Sequence, residues 1–217
     1  MYMPPNNGGD FTPPPAGTHL AVCYRLIDLG TQLQEYQGQT KTQRKIMLSW
    51  ELSEERMDDG KPFMVSQRYT YSSHEKSTLR QHLEAWRGAR FKDSDFGVGG
   101  FDIRNILGKG CLLSIIHTEK DGKTYANISS LSKLPKGMTA PSPENEIVYL
   151  SLEPGEFKRE VFEALSEGVK NIIRKSPEFA LVAGGARPAY DDAPLPDNYP
   201  GDNGGHHDAS FDDPIPF

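Results

Sequence analysis

The last eight residues concentrate chemistry that the stretch before them lacks. Ser210-Phe211-Asp212-Asp213-Pro214-Ile215-Pro216-Phe217 sets three large apolar groups and two carboxylates at the end of a tail rich in Gly, Pro, Asp and Asn. Such an end suits capture in a small basic pocket. The Phe217 ring fills an apolar slot, its carboxylate meets an Arg or Lys, and Asp212 and Asp213 meet a basic rim. The Pro and Gly ahead of it supply reach without structure.

A second set of residues suits a different ligand. Binding a single nucleic-acid strand without regard to sequence needs cations along the phosphates and flat rings for the bases, each ring contributing roughly 1–3 kcal/mol. Arg25, Lys45, Trp50, Arg68, Tyr69 and Tyr71 in the first half of the chain, with Lys123 and Tyr125 further on, are the candidates. Trp50 shares alternation parity with Ile46 and Leu48, and Tyr69 with Phe63 and Val65, so core and platform are both open for these two rings. Tyr125 alternates against Ala126 and Ile128, which points it outward. Arg25, Lys45 and Arg68 oppose or interrupt apolar faces.

Other chemistries find little support. Gly97-Val98-Gly99-Gly100 lacks the strand-to-helix context of a dinucleotide fingerprint, and Gly108-Lys109-Gly110 lacks the spacing of a phosphate-binding loop. No nucleophile elbow or zinc-protease motif occurs, and His206-His207 sits in a tail unsuited to a fixed metal site. No catalytic residue, metal or cofactor is expected. Cys23 and Cys111 each lie in an apolar run, as reduced core thiols of a cytosolic protein would.

The elements that carry these residues change period along the chain. Leu20–Leu29 reads as a strand. Arg44–Leu52 alternates, with Ile46, Leu48, Trp50 and Leu52 on one face. Pro62–Tyr71 alternates again, with Met64, Ser66, Arg68 and Thr70 opposite the apolar set. A polar Gln/Thr/Gly connection is expected from Gly30 to about Thr40. Ser72 and Glu75 resemble a capping box, Leu79, Leu83 and Trp86 follow helical spacing, and Gly88 closes that helix. Cys111–His117 and Lys123–Leu131 form a hairpin around Asp121-Gly122. A long helix from Glu156 to about Lys175 carries Phe157, Val161, Leu165, Val169, Ile172 and Ile173 as one stripe, fit to pack on the same domain or on a second copy. Three strands, a helix and a hairpin is the chain order of a five-stranded OB barrel, a mainly β (α+β) fold with its helix between strands three and four. Another α+β sheet topology stays open.

Composition divides the chain into three. Residues 1–18 hold five Pro and residues 184–217 hold six, against six in the 165 between. The expected organisation is a flexible arm (1–18), an OB domain with a C-terminal helix (19–183) and an acidic tail (184–217). That tail carries seven Asp and one Arg, which accounts for the whole formal charge of -6, so the rest is neutral. Within it, residues 61–136 hold 13 basic and 7 acidic residues. An acidic average therefore leaves a nucleic-acid partner open. No apolar run is long enough to span a membrane, and the first residues lack the regions of a signal peptide.

The tail resembles the C-terminal tip of bacterial single-stranded DNA-binding proteins, which end Asp-Asp-Asp-Ile-Pro-Phe after a Gly/Pro-rich linker. Asp212, Asp213, Ile215, Pro216 and Phe217 match, and Pro214 replaces the third Asp. The body, with Gly108-Lys109-Gly110-Cys111 and Gly122-Lys123-Thr124-Tyr125-Ala126-Asn127-Ile128, is more similar to the diverged single-stranded DNA-binding proteins of bacteriophages. The resemblance implies a non-enzymatic OB-fold protein that coats single-stranded DNA during replication, recombination or repair in a bacterial cytoplasm. It also implies recruitment of partner enzymes through the tip. The alternative is an interaction protein that copies the tip and leaves DNA alone, for which the neutral body speaks.

Overall fold

The computed structural model describes residues 12–36, 39–120 and 122–184. It is mainly β. The strands are β1 (Gly17–Tyr36), β2 (Gln39–Arg56), β3 (Pro62–Thr70), β4 (Gly110–Lys120), β5 (Lys123–Ser132) and β6 (Val148–Leu150). They form one sheet in the order β3-β2-β1-β4-β5, antiparallel throughout, with β6 added in parallel to β1. Helix α1 (Thr78–Arg87) lies between β3 and β4 in the chain; α2 (Arg159–Glu163), α3 (Glu167–Ile173) and α4 (Pro177–Val182) follow β6.

Alternation sorts β1 and β2 between two cores. Ala21, Cys23, Leu26, Ile46, Leu48, Trp50 and Leu52 turn to the larger one, closed by Leu79, Leu83 and Trp86 of α1. Ile27, Leu29 and Met47 turn to the opposite face, where Phe162, Leu165, Val169 and Ile173 cover them. Both faces of these strands are therefore buried over part of their length, which explains why Leu20–Leu29 reads as a nearly unbroken apolar run. The register slips between Cys23 and Arg25 and again between Asp28 and Gly30. At the second bulge Gly30 has φ +70°, and a side chain there would run into Ser176.

Several expectations change. The strands number six, not five, and the sheet is an open path rather than a closed barrel. The Gln/Thr/Gly connection is strand: β1 and β2 stay paired from Gly30↔Lys45 out to Tyr36↔Gln39, a two-stranded ribbon whose unpatterned polar residues hide its extended backbone. The cap of α1 is Ser77, whose hydroxyl accepts from the Arg80 amide, and not Ser72. The long helix expected from Glu156 to about Lys175 is two short ones, α2 and α3, and α4 follows beyond it. Ser166 has extended backbone that interrupts the run, Ser176 has it again ahead of α4, and Pro177 opens α4 at its first turn instead of ending the stripe. The apolar stripe survives these breaks and packs on its own sheet. Of the expected arm, residues 12–18 are placed: Pro14 is buried and β1 already begins at Gly17.

Candidate nucleic-acid interface

The outward-facing side chains of β1, β2 and β3 form rows that the register defines. Arg25 lies opposite Ser49, and Ser49 opposite Ser66. The Arg25 Nε donates to Ser49 Oγ at 3.0 Å, and the Ser49 and Ser66 hydroxyls are 2.8 Å apart. Two residues back along β2, about 7 Å by strand geometry, Met47 faces Arg68; two further, Lys45 faces Thr70. The Lys45 ammonium donates to Thr70 Oγ1 at 2.8 Å.

Arg25 differs from most arginines of this chain. Arg44, Arg56, Arg80, Arg104 and Arg174 each meet a carboxylate. Arg25 is held instead by a hydroxyl, with its guanidinium 5.7 Å from the centre of the Tyr24 ring. That ring is buried, and its hydroxyl, raised above the ordinary phenol value by burial, donates to Met64 Sδ at 3.0 Å. With no carboxylate against it among the described residues, a guanidinium so oriented keeps its charge available to a phosphate.

Two covers bound these rows. On one side α2, α3 and α4 lie over Ile27, Leu29 and Met47. On the other, the connection from β5 to β6 comes down on Glu51, which accepts from the Glu144 and Asn145 amides and from Asn145 Nδ2. The row Arg25–Ser49–Ser66 runs between them, Arg25 and Ser66 partly exposed and Ser49 buried beneath them, with Met64 and Arg68 beside it on β3, a strip termed the trough. Buried Asp28 fixes its far end. It accepts from the Gly30 and Leu152 amides and pairs with Arg44 at 2.6 Å, so bulge, ribbon and β6 meet at one carboxylate.

The candidate residues separate accordingly. Arg25, Lys45 and Arg68 come together on the outer face, all partly exposed. Trp50 and Tyr69 do not: they are 0% and 2% exposed within the main core. Trp50 packs 6.1 Å from Trp86, and the Tyr69 hydroxyl meets His82 Nδ1 at 2.9 Å. Neither ring has a face for a base, because even parity along β2 and odd parity along β3 point inward. Tyr71, just past the end of β3, is 48% exposed, with the Arg44 guanidinium 6.0 Å from its ring centre.

Lys123 and Tyr125 lie on the β4–β5 hairpin, away from the trough. The pairs Lys120↔Lys123, Thr118↔Tyr125 and Ile116↔Asn127 share one face. Ile116 is exposed there, Tyr125 is half-buried, and Asn127 Nδ2 donates to Thr118 Oγ1 at 2.7 Å. Lys120 and Ile116 were missed, and counting parity across the hairpin turn would have found them; Met64, Ser66 and Thr70 were placed opposite the apolar set of β3 but not taken as part of a site. The tip residues Asp212, Asp213, Ile215, Pro216 and Phe217 fall outside the described residues.

Cys23 and Cys111 are buried free thiols. Burial pushes Cys111 up to about 12 and Cys23 beyond that, so neither is a thiolate nucleophile near neutral pH. Among the described residues no group of His, Cys, Asp and Glu is placed to hold a metal ion, and no helix is long and apolar enough to cross a membrane. No protein-family model matches the chain, and no curated protein matches it either.

Proposed function

We propose that this protein binds single-stranded DNA without strong sequence preference, through the trough on β1–β3 and the outer face of the β4–β5 hairpin. The carrying observation is the set Arg25, Lys45 and Arg68 on one face, with Arg25 oriented by the Ser49 hydroxyl. Phosphates would meet these cations and Tyr125 would offer a ring on the hairpin face; Tyr71 shares the inward parity of Tyr69 and lies off the trough. The strand order supports the reading. An OB barrel opened between its third and fifth strands has the order β3-β2-β1-β4-β5, with a helix between strands three and four.

In this reading the protein is not an enzyme. It is a bacteriophage-type coat for exposed strand in replication, recombination or repair, working in the cytoplasm of a bacterial host. The tip at Asp212–Phe217 recruits the partner enzymes. When no DNA is present, the acidic tail competes for the same cations. One observation favours the alternative, a tip mimic that leaves DNA alone: burial of Trp50 and Tyr69 removes two of the four rings expected to stack. Fluorescence anisotropy with labelled oligo(dT) and a duplex of equal length, at low and moderate salt, separates the two. Preferential, salt-sensitive binding to the single strand supports the coat. Absence of binding at low salt transfers the function to the tip.

A further inference from the structure

The connection between β5 and β6 crosses the sheet's outer face as a strap. Residues 134–147 contain no helix or strand and are mostly exposed. Near the start Ala140 sits on Gly110, whose missing side chain leaves its place; a Cβ there would collide with the Ala140 methyl. Further along, Glu144 and Asn145 reach Glu51, with three N–H donors at 2.7–2.9 Å from one carboxylate. Gly110 and Glu51 are the two register partners of Val22 on either side. Val22 points outward between inward-facing Ala21 and Cys23, yet it is 0% exposed and belongs to neither core. The strap is what covers it.

This crossing falls between the two surfaces proposed to hold the strand. The trough row Arg25–Ser49–Ser66 is the next outward row on one side. On the other, the rows Leu20↔Leu112 and Thr18↔Ser114 lead to Ile116 and the hairpin face. The Glu144 backbone amide meets Glu51, while its carboxylate turns along β2 toward Arg56, on the side of Glu51 away from Ser49. There it neutralises Arg56, with Nη2 at 2.6 Å.

Resting on the strand-binding reading, we infer that residues 134–147 are a displaceable gate, and that a strand occupying both surfaces releases them from Glu51. While the strap is down, the Val22 row between the two surfaces is closed and Arg56 is held by Glu144. Lifting the strap uncovers the Val22 row that joins the two surfaces and frees Arg56 to exchange the Glu144 carboxylate for a phosphate. The anchors are few for a fourteen-residue connection, which is how segments of low local stability are built.

Hydrogen exchange of the full chain, with and without a saturating oligo(dT) long enough to span both surfaces, tests this. The peptide carrying the Glu144 and Asn145 amides should exchange at least about tenfold faster in the complex. Unchanged or slower exchange in a complex that forms by anisotropy overturns the gate and leaves strand binding intact; failure of the wild type to bind overturns both. Glu51→Gln, which cannot accept all three donors, should show the fast exchange without DNA while its thermal unfolding stays cooperative. It should also bind oligo(dT) about three- to tenfold more tightly, as removal of a competing closed state requires. Slow exchange in Glu51→Gln overturns the gate as well.

Discussion

The two faces of β2 and β3 are made from the same strands and do opposite work. Inward, Ile46, Leu48, Trp50, Leu52, Val65 and Tyr69 join the main core and are almost wholly buried. Outward, Lys45, Ser66, Arg68 and Thr70 are partly exposed, with the Ser49 hydroxyl buried beneath Arg25. One residue of displacement in the sequence separates packing from charge. A ring on the inner face stabilises the fold whatever its chemistry could offer a base, and the proposed strand binding falls to the outer face.

Substitutions on each face should therefore fail in different assays. Trp50→Ala on the inner face should cost about 3–5 kcal/mol, read by chemical denaturation, since it empties a site packed against Trp86. Trp50 fluorescence should also stay unquenched when DNA is added to the wild type, and quenching assigned to Trp50 by comparison with Trp50→Phe would break the distinction. Asp28→Ala should destabilise by about 1–3 kcal/mol, because it leaves the Gly30 and Leu152 amides and Arg44 without their shared acceptor. Arg68→Ala on the outer face should leave unfolding cooperative and lower the salt slope of single-strand binding by about 0.7.

The smallest effect expected is a pH dependence on the inner side. Burial holds His82 below its ordinary value of 6.5 where it meets the Tyr69 hydroxyl. The unfolded chain therefore takes up this proton before the folded one does. Stability from this group is complete above the unfolded value and declines as pH falls below it. His82→Gln should flatten that part of the profile between pH 7 and 5; an unchanged slope would remove His82 from the account.

Much of the sheet was legible because parity is a strong signal where one face is buried. The alternation of Arg44–Leu52 and Pro62–Tyr71 gave both faces of β2 and β3, and Gly88 marked the end of α1, where it adopts φ +72°. Parity also left Trp50 and Tyr69 undecided as platforms, since an aromatic ring fits either face by composition. The ribbon beyond Gly30 was read as a connection because Gln and Thr carry no apolar rhythm. The three residues of β6 are too few for a period. The bond network of Glu51 joins residues more than ninety positions apart, and nothing local marks a carboxylate that will hold a distant strap.

The central claim is that the outer face binds a single strand through its cations. Anisotropy titration of labelled oligo(dT) across a salt series, with the full-length wild type and the triple variant Arg25→Ala/Lys45→Ala/Arg68→Ala, addresses it most directly. The account predicts salt-sensitive wild-type binding that favours the single strand over duplex. In the triple variant it predicts weaker binding, a slope smaller by about 2 and unfolding that stays cooperative. Equal affinity and equal slope for the two proteins, both folded, would contradict it.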